Sequence, residues 1–571
     1  KVPYAGEVWM VYNDRDLLVM TQDANLRAQA KWMYTVYDQL NRPVATGIID
    51  DAHDRAYHAN LAASSLTYPD GLYNYIILKH TLYDDYSWVS TLVDSFTASR
   101  NTADDGKFLP ASGTSPFPQA LTQSNAVRGQ VTGMRIAVLG GSSGMLYRVN
   151  YYDDRGRVIQ TQQTNITGGT DIATTQYDFS GRPLRTLLKQ EKAGTNAQTH
   201  SVLTKMNYDA AGRLLTVYRN IDDASSDQLI STNTYNELGQ LQNKELGGNL
   251  DNLAYAYNIR GWLKSINKSY VDNGGSNYFG MDLGYDRSTA GNTSTQVPQF
   301  NGNIASAVWR SAGDGVARKY DYKYDNANRI TRAEYSQNTS GSTWDASTLN
   351  FSVWGFDSDN GYGIKYDANG NILMMIQSGY KGGATSLVDA MHYTYFPNSN
   401  KLQQVWDNVN DNDTKLGDFH YDGSTKTSTD YAYDDNGNLI TDLNKGINNG
   451  ILYNYLNLPQ LIHKLGKGYV EYKYDALGNK LQKTNLTDTY QPVTTWLYLG
   501  PSVYQNDTLQ FISHEEGRAR WAFHKYTTGS SAYGFEYDFF EKDHLGNTRV
   551  VLTQEKDTAK YLASGEADYH S

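Results

Sequence analysis

The sequence predicts an all-β protein built as an array of β-hairpins, and three observations carry that reading. The first is alternation. In Gly468 to Lys483 (GYVEYKYDALGNKLQK), Val470, Tyr472 and Tyr474 fall on one face of an extended chain and Glu471 and Lys473 on the other. That is the period of a half-buried strand. The second is turn chemistry. Asp475-Ala-Leu-Gly478 puts Asp first and Gly fourth in a type I turn, and a Gly there takes the left-handed conformation that completes a three-residue hairpin loop with a bulge. The third is recurrence. Tyr-Asp/Asn-x-x-Gly/Asn returns as Tyr152-Asp153 with Gly156, Tyr177-Asp178 with Gly181, Tyr208-Asp209 with Gly212, Tyr366-Asp367 with Gly370, Tyr433-Asp434 with Gly437, and Tyr474-Asp475 with Gly478. Further copies start at Tyr37, Tyr235, Tyr257, Tyr324 and Tyr453.

The substitutions inside the repeat follow from backbone sterics. Where Gly is missing, Asn41, Asn328 and Asn457 replace it, and Asn is the non-glycine residue that best tolerates positive φ. Copies at Tyr152, Tyr177, Tyr208, Tyr235 and Tyr257 are 25, 31, 27 and 22 residues apart. Each interval fits one strand pair, and repeats of that length stack into an array.

Composition agrees with a large folded β protein. The 571 residues include 47 Tyr and 50 Gly but 12 Pro, and 19% are charged, which is neither a disordered nor a fibrous signature. Tyr favours strands and is amphipathic, so a mean hydropathy of −0.61 is compatible with a sizeable core. A net charge of −11 offers no footprint for nucleic acid or an anionic membrane. The absence of cysteine excludes disulfides, thiol catalysis and Cys-based metal sites. No run reaches the apolar length of a membrane-spanning helix. The first residue is Lys1 rather than Met, and both ends are expected to be cuts from a longer gene product.

Taken in order, the chain divides into three expected regions. Residues 1–130 read as strands with degenerate repeats and a polar surface insertion from Phe96 to Arg128. Residues 131–485 carry the main hairpin array, interrupted by Asn/Gly/Ser-rich loops at 266–318 and a divergent stretch at 335–430. Residues 486–571 close with YGFEYDFFEKDHLGNTRVVL, in which alternating aromatics enter a turn at Asp543-His544-Leu545-Gly546-Asn547. No amphipathic helix of more than three turns is apparent.

Several constellations resemble chemical sites, and each has a plainer explanation. Gly140 to Gly144 matches the G-x-S-x-G nucleophile pattern, but a strand follows where that chemistry needs a helix. His514, Glu515, Glu516 and His524 are the densest acid/His group, without the spacing of a zinc protease. Asp407, Asp411 and Asp413 could bind calcium but lack the EF-hand spacing and its glycine. Asp543 and His544 are neighbours on a turn with no accompanying nucleophile. No catalytic residue, metal ligand or cofactor is expected.

The repeated YDxxGR/N turns, with DHLGNTRVVL at 543–552, resemble the Rhs/YD-repeat family. YDQLNRPVATG, YDDNGNLITDLNKGI and YLGPSVYQNDTLQFISHEEGRAR resemble its Bacteroidota-type Rhs repeat-associated core proteins. The resemblance implies a continuous β-sheet spiral forming a hollow or partial shell, with Asp543, His544, Gly546, Asn547 and Arg549 as the core-end motif. It implies a structural, exported protein, secreted or at the cell surface, that encloses or presents its own or an associated C-terminal effector polypeptide such as a toxin. Type IX export machinery follows from the Bacteroidota resemblance alone. The family's self-cleaving Asp-Pro-x-Gly segment does not occur in these residues, so autoproteolysis is expected only in a part beyond Ser571. The alternative is an adhesin that binds surface glycans through its divergent loops.

Overall fold

The computed structural model describes residues 5–555 apart from 70–74, 94, 141–143, 287–296, 340, 342, 358–360, 382, 410–417, 421–426 and 526–530. Among them, 35 strands belong to one sheet. From Trp9–Tyr12 to Ile330–Asn338 each strand pairs antiparallel with the next in sequence, and Val353–Trp354 bridges onward to Ile372–Lys381. The meander pauses after Leu402–Asp407 and resumes from Ile451–Tyr453 to Thr548–Thr553. Both terminal strands are edges among the described residues, so the sheet is not a closed barrel. Antiparallel neighbours joined by tight turns are what the repeat spacing dictates.

The second stretch of meander retraces the first in the same direction. Gly6 N–H bonds the Asp435 carbonyl at 2.8 Å, and the Asn25 amide bonds Asp434 at 2.8 Å. Leu139 and Val138 then pair with Tyr474 and Asp475 as true strand neighbours, and Ala476 N–H bonds the Ala137 carbonyl. Farther round, Gln190 donates to the Leu499 carbonyl, Arg219 to that of Ser513 and Gln554 to that of Gly247. Such collinear contacts describe a spiral. The later stretch covers the arc in about half the residues used by the earlier one, so it runs on a tighter turn.

Once past the seam the tighter turn packs face to face on the wider one. Val202, Val217, Ile221, Ile230, Leu246 and Leu253 of the first wind form one buried cluster with Leu497, Tyr504, Ile512, Ala519, Tyr537 and Phe539 of the last strands. Each fully buried apolar side chain of this size contributes about 1.5–3 kcal/mol. Among the described residues this is the largest buried apolar cluster.

Two stretches read as loops are more ordered than their sequence suggested. Residues 266–318 contain the helix Lys268–Asn273 and the strands Phe279–Gly284 and Ser306–Ser311, and 335–430 contains Ala384–Tyr395, a 12-residue strand. Phe279–Gly284 is buried at every position, which erases the alternation by which a half-exposed strand is recognised. The insertion 96–128 is an irregular strap held by buried glutamines. Gln160 exchanges two hydrogen bonds with the backbone of Asn101, and Gln176 does the same with Leu109. Each side-chain amide thereby pairs like a strand residue and satisfies backbone groups that no ladder reaches.

Candidate functional site

The repeat residues assemble into a continuous column at one end of the hairpins. In each turn the fifth residue adopts positive φ, at Gly156 (74°), Gly181 (93°), Gly212 (85°), Gly370 (90°), Gly437 (87°) and Gly478 (90°). Asn41, Asn328 and Asn457 adopt 63°, 62° and 58° at the same place. The Asp carboxylate folds over its own turn. Asp153 Oδ1 accepts from the N–H of Arg155 and Arg157, and Asp178, Asp209, Asp367, Asp434 and Asp475 accept equivalently.

The tyrosine links one hairpin to the one before. The ladder between Val158–Thr164 and Thr170–Tyr177 ends at the pair Gln160 and Thr174, two residues short of the preceding turn. Tyr177 then extends its hydroxyl to the Val158 carbonyl at 2.9 Å. Tyr152, Tyr208, Tyr366 and Tyr433 reach the carbonyls of Val131, Pro183, Ile330 and Leu402 in the same way. Burial raises the pKa of Tyr177, Tyr208 and Tyr366 above that of a free phenol, so they remain donors at neutral pH. Tyr474 occupies the seam instead, paired with Leu139.

The residue after the glycine completes the column; the sequence pattern gave it as Arg or Asn without assigning it a contact. Arg157, Arg182, Arg213 and Arg329 each bind the Asp of their own turn at 2.6 Å. Each also lies over the next tyrosine ring, at 4.9 Å for Tyr177, 5.3 Å for Tyr208, 4.9 Å for Tyr235 and 4.6 Å for Tyr366. Where Asn replaces Arg, its amide bonds the same Asp and reaches the next turn's Asn instead: Asn371 to Asn400 and Asn438 to Asn457, both at 2.8 Å. Burial opposes ionisation of Asp178, but the Arg182 amide, Ser180 and the Arg182 guanidinium outweigh it and hold its pKa low. The recurring Arg in GR was the available signal.

The core-end motif is another such turn without its tyrosine. Asp543 accepts from the amides of Leu545 and Asn547, from the Asn547 side chain, and from Arg549 at 2.6 Å. Gly546 sits at φ 85°. His544 does not join Asp543: burial lowers its pKa, and its Nδ1 has no hydrogen-bond partner. The pair therefore has the geometry of a structural turn.

The other candidate constellations are dispersed or committed elsewhere. Strands Val131–Leu139 and Met145–Tyr152 flank the G-x-S-x-G segment, and its Ser142 lies outside the described residues. His514 accepts from the Glu516 N–H at Nδ1 and is pushed down to about 3 by burial and by Arg219. Glu515 faces Arg219 at 3.4 Å, and Glu516 binds Lys244 at 2.5 Å. The acid/His group thus ties the last layer to the first wind; the His524 side chain lies outside the described residues. Asp411 and Asp413 also lie outside them, and Asp407 is instead brought together with Asp389 and Asp418, their oxygens within 4.8 Å of one another. Carboxylates so placed have the donor chemistry of a hard cation. Burial first, then Asp407 and Asp418, raise the pKa of Asp389, and protonation there relieves the same repulsion.

One buried pair had no counterpart in the sequence reading. Glu541 continues the face of Phe535, Tyr537 and Phe539 into the interlayer core, is fully buried, and accepts no hydrogen bond from a protein donor at either oxygen. Burial and the adjoining Asp251 push its pKa up to about 9. An acidic residue in phase with an apolar strand face was the signal.

No protein-family model matches the chain, and no curated protein matches it in sequence. Solved structures of the Tc toxin assembly TcdB2-TccC3 share its fold. The form without the hypervariable C-terminal region superposes with a TM-score of 0.56 at 12% identity over 96% of this chain. TcdB2-TccC3 itself gives 0.57 at 12%, and TcdB2-TccC3-Cdc42 gives 0.56 at 14%, each over 96% of this chain. This chain spans 23–24% of the length of those chains.

Proposed function

We propose that this chain is part of an exported YD-repeat shell whose role is to enclose or present a C-terminal polypeptide, structural rather than catalytic. The observation that carries the reading is the spiral itself: a sheet that winds, narrows and packs its last strands on its first wind. A wall of this kind encloses space, and nearly every motif residue is spent on holding hairpin to hairpin. The likeness to TcdB2-TccC3 along 96% of the chain supports the architecture. Surface-exposed or secreted location and an effector cargo follow from the reading.

The test is protection. A flexible reporter peptide fused after Ser571 is digested with a broad-specificity protease, beside the same peptide fused to an unrelated folded carrier. Enclosure slows its cleavage at least ten-fold and abolishes the difference once the shell is unfolded. Equal cleavage rates overturn the reading.

A further inference from the structure

We propose that the fork where the second wind joins the first is a docking cleft for a short extended segment of a separate polypeptide, uncharged and bearing an apolar side chain, which adds a strand to the edge Ile76–Leu78. The proposal rests on the seam of the sheet and not on what the shell encloses, so its failure leaves the enclosure reading standing.

The fork follows from how three strands share their edges. Tyr75–Tyr83 and Val131–Leu139 pair antiparallel from Tyr83 and Val131 to Lys79 and Ile136, and there the ladder stops. Leu139 and Val138 pair instead with Tyr474 and Asp475 of the second wind, and the Ala137 carbonyl accepts from Ala476 N–H at 2.8 Å. On its other side Tyr75–Tyr83 keeps its ladder with Pro43–Asp50, whose register shifts between Thr46 and Gly47. A bulge of this kind bends the strand. Among the described residues, Ile76, Ile77 and Leu78 therefore have a strand partner on one edge only. Neither a charge nor a proline interrupts Tyr75 to Leu78, although those are the usual means of blunting an open edge.

A cavity of about 570 Å³ opens on that edge, a size at which proteins hold ligands. Leu26, Leu78, Leu139 and Met145 supply its apolar side. Among the described residues that line it, Asp23 alone is charged, and its Oδ1 caps the N–H of Leu26 at 2.8 Å. No cation lines it, so a charged group entering the cleft meets no free counter-charge and keeps its desolvation cost.

The carboxamides identify the occupant as a backbone. Asn436 accepts from Asn25 N–H at 3.1 Å and donates to Asn457 at 2.9 Å, so these amides are already engaged. Gln29 of the first wind and Gln460 of the second line the same cavity, and their side chains make no hydrogen bond. Elsewhere in the molecule, free glutamine amides of this kind hold irregular chain: Gln160 grips the backbone of Asn101 at 2.7 and 2.8 Å, and Gln176 that of Leu109 at 3.0 and 2.7 Å. A segment laid along Ile76–Leu78 gives one edge of its backbone to that strand and the other to the glutamines. Its alternate side chains turn into the apolar side of the cleft. A saccharide matches the amides but leaves the strand edge unpaired.

The experiment uses the whole chain and a library of capped heptapeptides built from Val, Ile, Leu, Thr, Ser, Asn and Gln. Peptides retained by the immobilised protein are read by mass spectrometry, and the most enriched one is titrated by fluorescence anisotropy. Saturable binding that slows hydrogen exchange across 75–79 is the expected result. N-methylation of alternate peptide amides keeps every side chain and deletes the donors of one edge. In one of its two registers it should weaken binding about ten-fold or more. Gln29→Ala combined with Gln460→Ala should weaken it by a similar factor with the thermal midpoint unchanged, because neither side chain is engaged in the free protein. The proposal is overturned if no peptide is enriched, if both methylated registers or the double variant bind as tightly as the parent pair, or if protection maps away from 75–79. An oligosaccharide that protects 75–79 where the peptide does not overturns it as well.

Discussion

The column of repeat turns and the core between the two layers both join distant parts of the chain, but by opposite physics. In the column the links are polar and short-range: Asp178 is held by its own turn amide and Arg182, Arg182 lies over the Tyr208 ring, and Tyr208 reaches the Pro183 carbonyl. The interlayer core is apolar and long-range, packing Val217, Ile230 and Leu246 against Ile512, Ala519 and Phe539. Stability in the column is thus divided into many small equal links, whereas in the core it is concentrated in a few side chains. A nearest-neighbour array of this kind loses little when one link fails, while a packed core loses much.

The sharpest way to break the comparison is to cut the core. Phe539 is fully buried among residues of both layers. Phe539→Ala should cost about 3–5 kcal/mol, read as a lower urea midpoint and as early proteolytic release of the segment after Ser531. If the loss is no larger than that of a column substitution, the two layers are not mutually dependent.

Acid should break the column first. Asp178, Asp325 and Asp543 have pKa values held below the ordinary carboxylate range: burial opposes this in each, and amide and Arg or Asn partners overcome it. A depressed folded-state pKa stabilises above the unfolded value near 3.8 and is lost as pH falls through the folded one. Hydrogen exchange near pH 3 should therefore show the turns opening before strands 508–525, because Leu509, Ile512 and Ala519 hold those strands through apolar packing that does not titrate. Simultaneous opening would show that column and core are one cooperative unit.

A smaller effect isolates backbone strain. Gly181 has φ 93°, and no neighbouring atom lies within 4 Å of the place a Cβ would take. Gly181→Ala therefore meets no steric neighbour and should cost about 1–2 kcal/mol through its left-handed backbone alone. Gly181→Asn should cost less, because Asn holds that place at Asn41, Asn328 and Asn457. Equal losses for the two substitutions would remove the backbone explanation for the Gly/Asn alternation.

The column was legible because its determinants are local. Tyr, Asp and Gly lie within five residues, the period of two marks the flanking strands, and the all-β class followed from that alternation, the turn chemistry and their recurrence. What crosses the spiral was not legible. Nothing near Lys244 in sequence announces Glu516, nor near Gln190 the Leu499 carbonyl, because these contacts depend on how far one wind advances before the next begins. The strap 96–128 was hidden for a related reason: its partners are glutamine side chains acting as backbone, and they leave no pattern in the strap itself. Buried charge could have been noticed at Glu541, where the alternation Phe-x-Tyr-x-Phe-x-Glu puts a carboxyl on an apolar face.

The finest test asks whether the column's tyrosines act by hydroxyl or by ring. Tyr177→Phe removes the bond to the Val158 carbonyl but leaves the ring under Arg157, and should cost about 0.5–1.5 kcal/mol. Arg157→Met removes the guanidinium from ring and Asp153 together, and the cation–ring part is about 0.5–2 kcal/mol at a partly buried site. In the double variant the losses should add, because the hydroxyl and the ring face are engaged by different partners, on different atoms. Exchange of the amides in 158–177 reports this locally, where a global midpoint would average it over the whole array. Non-additivity would mean that the guanidinium positions the ring for its hydroxyl contact, and that each link of the column is a single three-residue unit rather than two independent ones.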